Sequence, residues 1–195
     1  MKNSRILPFL VALLLSLPAT AKEEYAPISV EMQVVQMSEH AYYAKGVSGI
    51  ATANQGFISN AGFVVTKAGV VVFDALGTPS LAAALLERIK KITDQPIKRL
   101  VLSHYHADHI YGIQVFKNAG AKIYAPEGSL DYIHSEAAAL RLEERQLSLY
   151  PWVNDDTKII VPDVIISGSH KFNLGGLDFT INYLGKAHSD GDLAM

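Results

Sequence analysis

Residues 104–109 read His-Tyr-His-Ala-Asp-His, so four metal-binding side chains fall within six residues, directly after the apolar run Leu100-Val101-Leu102. Crowding three imidazoles and a carboxylate together gains little packing, and burying such groups without partners is costly. Imidazole nitrogen and carboxylate oxygen are ligand types that suit zinc, and imidazole also suits iron. In an extended segment alternate side chains face the same way, which aims His104 and His106 at one ion and turns Tyr105 away from it. Asp108 and His109 follow after the chain bends, where they can reach a second ion. Three neutral imidazoles around zinc leave one open position for water, whose pKa the metal lowers to about 7. The third imidazole is expected from His188, in the segment Leu184-Gly185-Lys186-Ala187-His188-Ser189-Asp190-Gly191-Asp192, with glycines on both sides for tight turns. The expected chemistry is metal-dependent hydrolysis.

Positioning these groups requires a rigid frame, and the apolar patterning supplies one. Two β-branched runs, Gly62–Thr66 and Val70–Asp74, flank a Lys67-Ala68-Gly69 turn and predict a hairpin. Earlier short runs, Met32–Met37 and Ala41–Lys45, read as strands. Thr78 and Pro79 form a helix start, cap and first-turn proline, and Leu81, Leu85, Ile89 and Ile92 recur at helical spacing. Lys98–Ser103 is the next expected strand, with the histidine cluster at its C-terminal end, where α/β sheets hold their sites. A short helix at Tyr111–Asn118, a strand at Lys122–Ala125, and one helical stretch over Glu127–Leu149 follow. The tail predicts strands at Lys158–Val161, Val164–Ser167 and Leu177–Leu184, the last beside a Gly175-Gly176 turn. The strand–helix–strand order argues a parallel or mixed sheet covered by helices.

The N-terminus reads as a secretory signal peptide over residues 1–21: a basic start with Lys2 and Arg5, an apolar run from Ile6 to Leu17, and Ala19-Thr20-Ala21 as the cleavage site. The apolar run is too short for a membrane span, which takes about 20 residues. The expected location is the periplasm or the medium, with no membrane attachment after cleavage. The chain has no cysteine, hence no disulfide, thiolate ligand or lipidation site. Removing Lys2 and Arg5 leaves 15 basic against 19 acidic residues, a net charge of about −4 without a basic stripe, which argues against a nucleic-acid partner. A small-molecule substrate is the expected partner, and residues 22–195 have the length of one domain.

His104-x-His106-x-Asp108-His109 followed by Gly112 resembles the signature of the metallo-β-lactamase superfamily. Gly185-x-x-His188-Ser189-Asp190-Gly191-Asp192 is similar to that family's next motif, and Val70–Asp74 followed by Gly77 resembles the early strand whose aspartate supports the metal site from below. The resemblance covers about residues 42–195. It implies an αββα sandwich, of which the chain holds the first half and part of the second. It also implies one or two zinc ions and hydrolysis of an ester, thioester or amide, a β-lactam being one option. On that likeness His104, His106 and His188 hold the first metal, and Asp108 and His109 belong to the second. Asp108 is also the catalytic carboxylate, and Asp74 supports the site. Similar exported proteins are associated with quinoprotein and sulfur-oxidation systems. The family's bridging carboxylate or cysteine and its last histidine come downstream of the His188 motif, so the resemblance implies a C-terminally truncated domain with an incomplete second site and an open sheet edge.

Two other functions stay in view. Iron at the same ligands would make the chain a sulfur or oxygen oxidoreductase, and a remnant retaining one three-histidine site would be no enzyme. Asp74 can alternatively cap a turn. Asp190 and Asp192 are expected to bond backbone amides after His188, and Lys186 to face water. His40, His134 and His170 lie outside ligand spacing and are assigned surface roles. The Glu127–Leu149 helix with Trp152 is either a cover over the site or an ordinary surface helix.

Overall fold

The fold is taken from a computed structural model, which describes residues 25–195; the expected signal peptide, residues 1–21, lies outside the described residues. Among the described residues ten strands form two sheets. The larger runs in sequence order: β1 (Val34–Gln36), β2 (Ala41–Ala44), β3 (Ala61–Thr66), β4 (Gly69–Phe73), β5 (Ile97–Val101), β6 (Lys122–Pro126) and β7 (Val164–Ile166). Pairing is antiparallel from β1 to β4 and parallel from β4 to β7. The smaller sheet has the order β10 (Asp192–Ala194), β9 (Leu177–Gly185), β8 (His170–Leu174), all antiparallel.

Period-two alternation explains the layers. Val70 and Val72, Leu100 and Leu102, and Ile123 and Ala125 enter the core beneath α1 (Pro79–Ile92) and α3 (Ile113–Asn118). The residues between them, Val71, Val101 and Tyr124, face the other way and meet Phe179, Ile181 and Leu193 of the smaller sheet. A strand buried on both faces needs an unbroken apolar run, which is what 70–73 and 100–102 supply. The outcome is helix on sheet on sheet, the first half and part of the second half of the expected αββα sandwich.

The hairpin forms with Thr66 opposite Gly69, whose φ of +142° suits glycine. Thr78 caps α1, its hydroxyl accepting from the Leu81 amide at 3.1 Å, with Pro79 in the first turn. Leu81, Leu85 and Ile89 are buried, whereas Ile92, in the last turn, is 41% exposed.

Three expected elements differ. The helix expected at Tyr111–Asn118 is α3, which starts only at Ile113, and a further short helix, α2 (Ala107–Ile110), precedes it across Tyr111-Gly112. Glu127–Leu149 is two helices, α4 (Ser129–Ile133) and α5 (Glu136–Ser148), because Ser135 starts a new helix by accepting from the Ala138 amide at 3.2 Å. Lys158–Val161 is no strand: the Lys158 amide donates to Gln114 Oε1 at 2.8 Å, and Ile159 and Ile160 pack on the core without a ladder. No helix among the described residues is long and apolar enough to cross a membrane.

Candidate metal centre

The site lies at the C-terminal ends of the parallel strands β4 and β5. Immediately after β4, Asp74 adopts φ +67°, a left-handed conformation that aspartate tolerates better than most residues. It is 5% exposed, and its amide donates to the Val101 carbonyl at 2.9 Å. Its carboxylate joins two elements: Oδ1 accepts from the Ser103 amide at 2.7 Å and Oδ2 lies 2.9 Å from His109 Nδ1. Asp74 therefore ties β4 to the β5 end and to α2, which is more than capping its own turn. Gly112 permits this closeness, since a Cβ there would stand 2.0 Å from the Ala75 carbonyl oxygen.

His104, His106 and His188 come together. Their candidate ligand atoms lie within 4.8 Å of one another, and His106 Nδ1 is 3.0 Å from His188 Nε2. Ring centroids of His104 stand 4.7 Å from His106 and 4.8 Å from His188. Asp108 and His109 are next to this group but outside its convergence. His109 Nε2 lies 3.3 Å from Asp108 Oδ2, and its ring is 4.1 Å from that of His104.

Electrostatics separates the imidazoles. Burial, then the neighbouring His109 and His106, pushes His104 down to about 4, so the ring is neutral at pH 7. His106 is lowered by burial and by His188. Burial also opposes charge on His109, but hydrogen bonds to Asp108 and Asp74 outweigh it and raise the group to about 9. Burial works against the charge on Asp108 as well, and the bond to His109 overcomes it, leaving the carboxyl below its ordinary value.

This donor set fits a divalent ion. A tetrahedral zinc with nitrogens at 2.0–2.1 Å separates neighbouring ligand atoms by ~3.3 Å, close to the 3.0 Å found between His106 and His188. Neutral imidazoles are the form that binds metal. Ser103 Oγ lies 2.9 Å from His104 Nδ1, which leaves Nε2 as the free nitrogen of that ring.

Sequence reasoning missed Ser103, although a hydroxyl ending an apolar strand beside a ligand was its signal. It also missed Ser59, whose hydroxyl donates to the Asp108 carbonyl, and Arg145 of α5, which lines a small hollow with Gly77, Ala107 and Asp108. Both depend on tertiary packing. In the turn after β9, Asp192 bonds the amides of His188 and Ser189, at 2.6 and 3.0 Å, as expected. Asp190 differs: its carboxylate pairs with Lys186 at 3.1 Å instead of an amide, because its side chain points outward from the turn. His134 lies at the surface, whereas His40 and His170 are half-buried, the latter against Tyr124 and Phe172.

Comparison with known proteins places this geometry. The chain is 25% identical over 187 residues to the metallo-beta-lactamase IND-1 of Chryseobacterium indologenes, covering 96% of this chain and 66% of that one. The structure of a metallo-beta-lactamase from Pontibacter korlensis superposes with a TM-score of 0.59 at 20% identity, over 84% of this chain and 65% of that one. A stereoselective inverting sec-alkylsulfatase from Pseudomonas sp. superposes with a TM-score of 0.60 at 18% identity, over 83% of this chain and 29% of that one. The chain thus spans just under two thirds of the length of the lactamases it matches. The family model described as the metallo-beta-lactamase superfamily matches residues 54–194, from the loop before β3 to the end of β10, and the chain belongs to that superfamily.

Proposed function

We propose that this chain is an exported zinc-dependent hydrolase of a small-molecule ester, thioester or amide, with β-lactams among the candidates. His104, His106 and His188 are the ligands of the first ion, and Asp108 and His109 are this chain's share of a second. The observation that carries the reading is the 3.0 Å approach of His106 Nδ1 to His188 Nε2 across 82 positions of sequence, beside the buried His104. A bound divalent ion would supply Lewis acidity and bring a water's pKa to about 7.

The chain's own residues do the remainder. Ser103 fixes the His104 ring through Nδ1 and leaves Nε2 for binding. Asp74 takes the Nδ1 hydrogen of His109, so its Nε2 faces Asp108. Asp108, ionised and beside the small hollow, is the carboxylate available to accept a hydrogen bond from an attacking water and orient it. Arg145 lines the same small hollow as Asp108 and brings a positive charge to that side of the carboxylate's segment. The same disposition suits a sulfate ester, the bond that the name of the sec-alkylsulfatase implies for that protein.

The test is turnover by the full chain loaded with zinc, on a panel of esters, thioesters, β-lactams and alkyl sulfates. Activity that a chelator abolishes and zinc restores is the expected result. A stoichiometric zinc protein inert on every member would overturn the hydrolytic reading, and iron with oxygen-dependent turnover would replace it with redox chemistry. Export predicts a periplasmic or secreted product whose N-terminal residue is Lys22, read by mass spectrometry.

A further inference from the structure

Three loops meet at one point beside the metal centre. The β5–α2 segment brings Tyr105, the β6–α4 turn brings Gly128, and the β9–β10 turn brings Asp190. A Cβ on Gly128 would stand 3.3 Å from Tyr105 Cε1 and 3.5 Å from Asp190 Cβ. The Tyr105 ring stacks on Tyr132 of α4, with centroids 4.8 Å apart and planes 24° from parallel, and meets His106 edge-on at 5.6 Å. Its hydroxyl accepts from the Asp190 amide at 3.3 Å, two residues beyond His188. Tyr105 therefore touches both stretches of chain that carry the three imidazoles, its ring against the edge of His106 and its hydroxyl against the His188 turn.

We propose that Tyr105 is a positioning residue that holds the His188 turn against the 104–106 segment; this rests on the reading of the three imidazoles as one metal site. His188 is exposed, and the bonds made by Asp192 lie within its own turn. Such bonds fix the shape of the turn without fixing its distance from His104 and His106. That distance depends on links that cross between the two stretches: the His106–His188 ring contact at 3.0 Å, the Leu193 amide donating to the Ser103 carbonyl at 2.7 Å, and Tyr105 with Asp190. A turn held in place before the ion arrives loses less conformational freedom on binding it. The aromatic ring adds a second restraint by joining α4 to the same point.

The test compares the full wild-type chain with Tyr105→Phe and Tyr105→Ala. Zinc affinity is read by competition with a chromophoric chelator, stability by urea unfolding of the metal-free chain, and the junction by amide hydrogen exchange at Asp190. Tyr105→Phe keeps the ring and loses the acceptor. It should speed Asp190 exchange and weaken zinc binding by about threefold, with unfolding unchanged. Tyr105→Ala should weaken zinc binding by about tenfold. Wild-type zinc affinity in both variants would overturn the proposal. If Tyr105→Ala fails to fold, Tyr105→Phe decides alone: unchanged affinity and exchange would sink it. If the wild-type chain binds no zinc, the metal reading fails, and Asp190 exchange in the metal-free Phe variant still decides whether Tyr105 holds the turn.

Discussion

The two sides of the metal centre are held in different ways. His104, 7% exposed, follows β5 and His109 lies in α2, and Asp74 and Ser103 bond to each other, Ser103 to the His104 ring and Asp74 to that of His109. These contacts satisfy buried polar groups, so they are part of what holds the fold together. His188 is exposed on a turn whose bonds are largely its own, through Asp192. Damage to the first side should therefore cost folding, whereas damage to the second should cost metal alone.

The largest effect should come from Asp74→Ala. It strands the Ser103 amide and His109 and places alanine at φ +67°, for a loss of about 3–5 kcal/mol in urea unfolding of the metal-free chain. Asp74→Asn keeps an acceptor and tolerates the backbone, so it should lose about half as much. A cost below ~1 kcal/mol for the alanine variant would erase the distinction between the two sides.

Next comes the pair His104→Ala and His188→Ala. Each should weaken zinc binding by about 100-fold or more, but only His104→Ala should also lower the urea midpoint. Equal destabilisation by the two would break the comparison.

The pH dependence of the metal-free chain sharpens it. His109 is raised to about 9 from an ordinary 6.5, so its contribution is complete below pH 6.5 and is lost as pH rises through 9. His104 is lowered to about 4, so stability falls as pH drops from 6.5 through 4. Stability should peak near pH 6.5 with losses on the order of 2 kcal/mol on either side. Replacing His109 by Gln should flatten the alkaline flank in a pH series of unfolding curves and shrink the acid one only in part, because burial as well as His109 holds His104 down.

The smallest effect belongs to a site away from both. Asp163 bonds Lys117 and the Ile123 amide. Asp163→Ala should cost about 1 kcal/mol and leave zinc affinity unchanged.

Much of this was legible in the residues because metal binding demands particular side chains at particular spacings. The cluster at 104–109 and the distant His188 declared themselves by type. The unbroken run Val70–Phe73 and the Thr78-Pro79 start declared the frame. The rest depended on what packs against what. Lys158–Val161 has a strand's composition, but Gln114 takes its first amide and no neighbouring strand offers a ladder. Asp190 and Asp192 are the same residue type two positions apart, and only the path of the turn decides which one reaches the amides. Tyr105 was expected to alternate away from the metal face, and its ring meets His106 edge-on. What it faces, Tyr132 and the Asp190 amide, lies 27 and 85 positions further along the chain.

The central claim is tested most directly by X-ray absorption at the zinc edge, which counts imidazoles around the ion. Loaded with one zinc per chain, the wild type should show three, with nitrogens at about 2.0–2.1 Å, and His188→Ala should show two. An unchanged set of imidazoles in that variant would contradict the account.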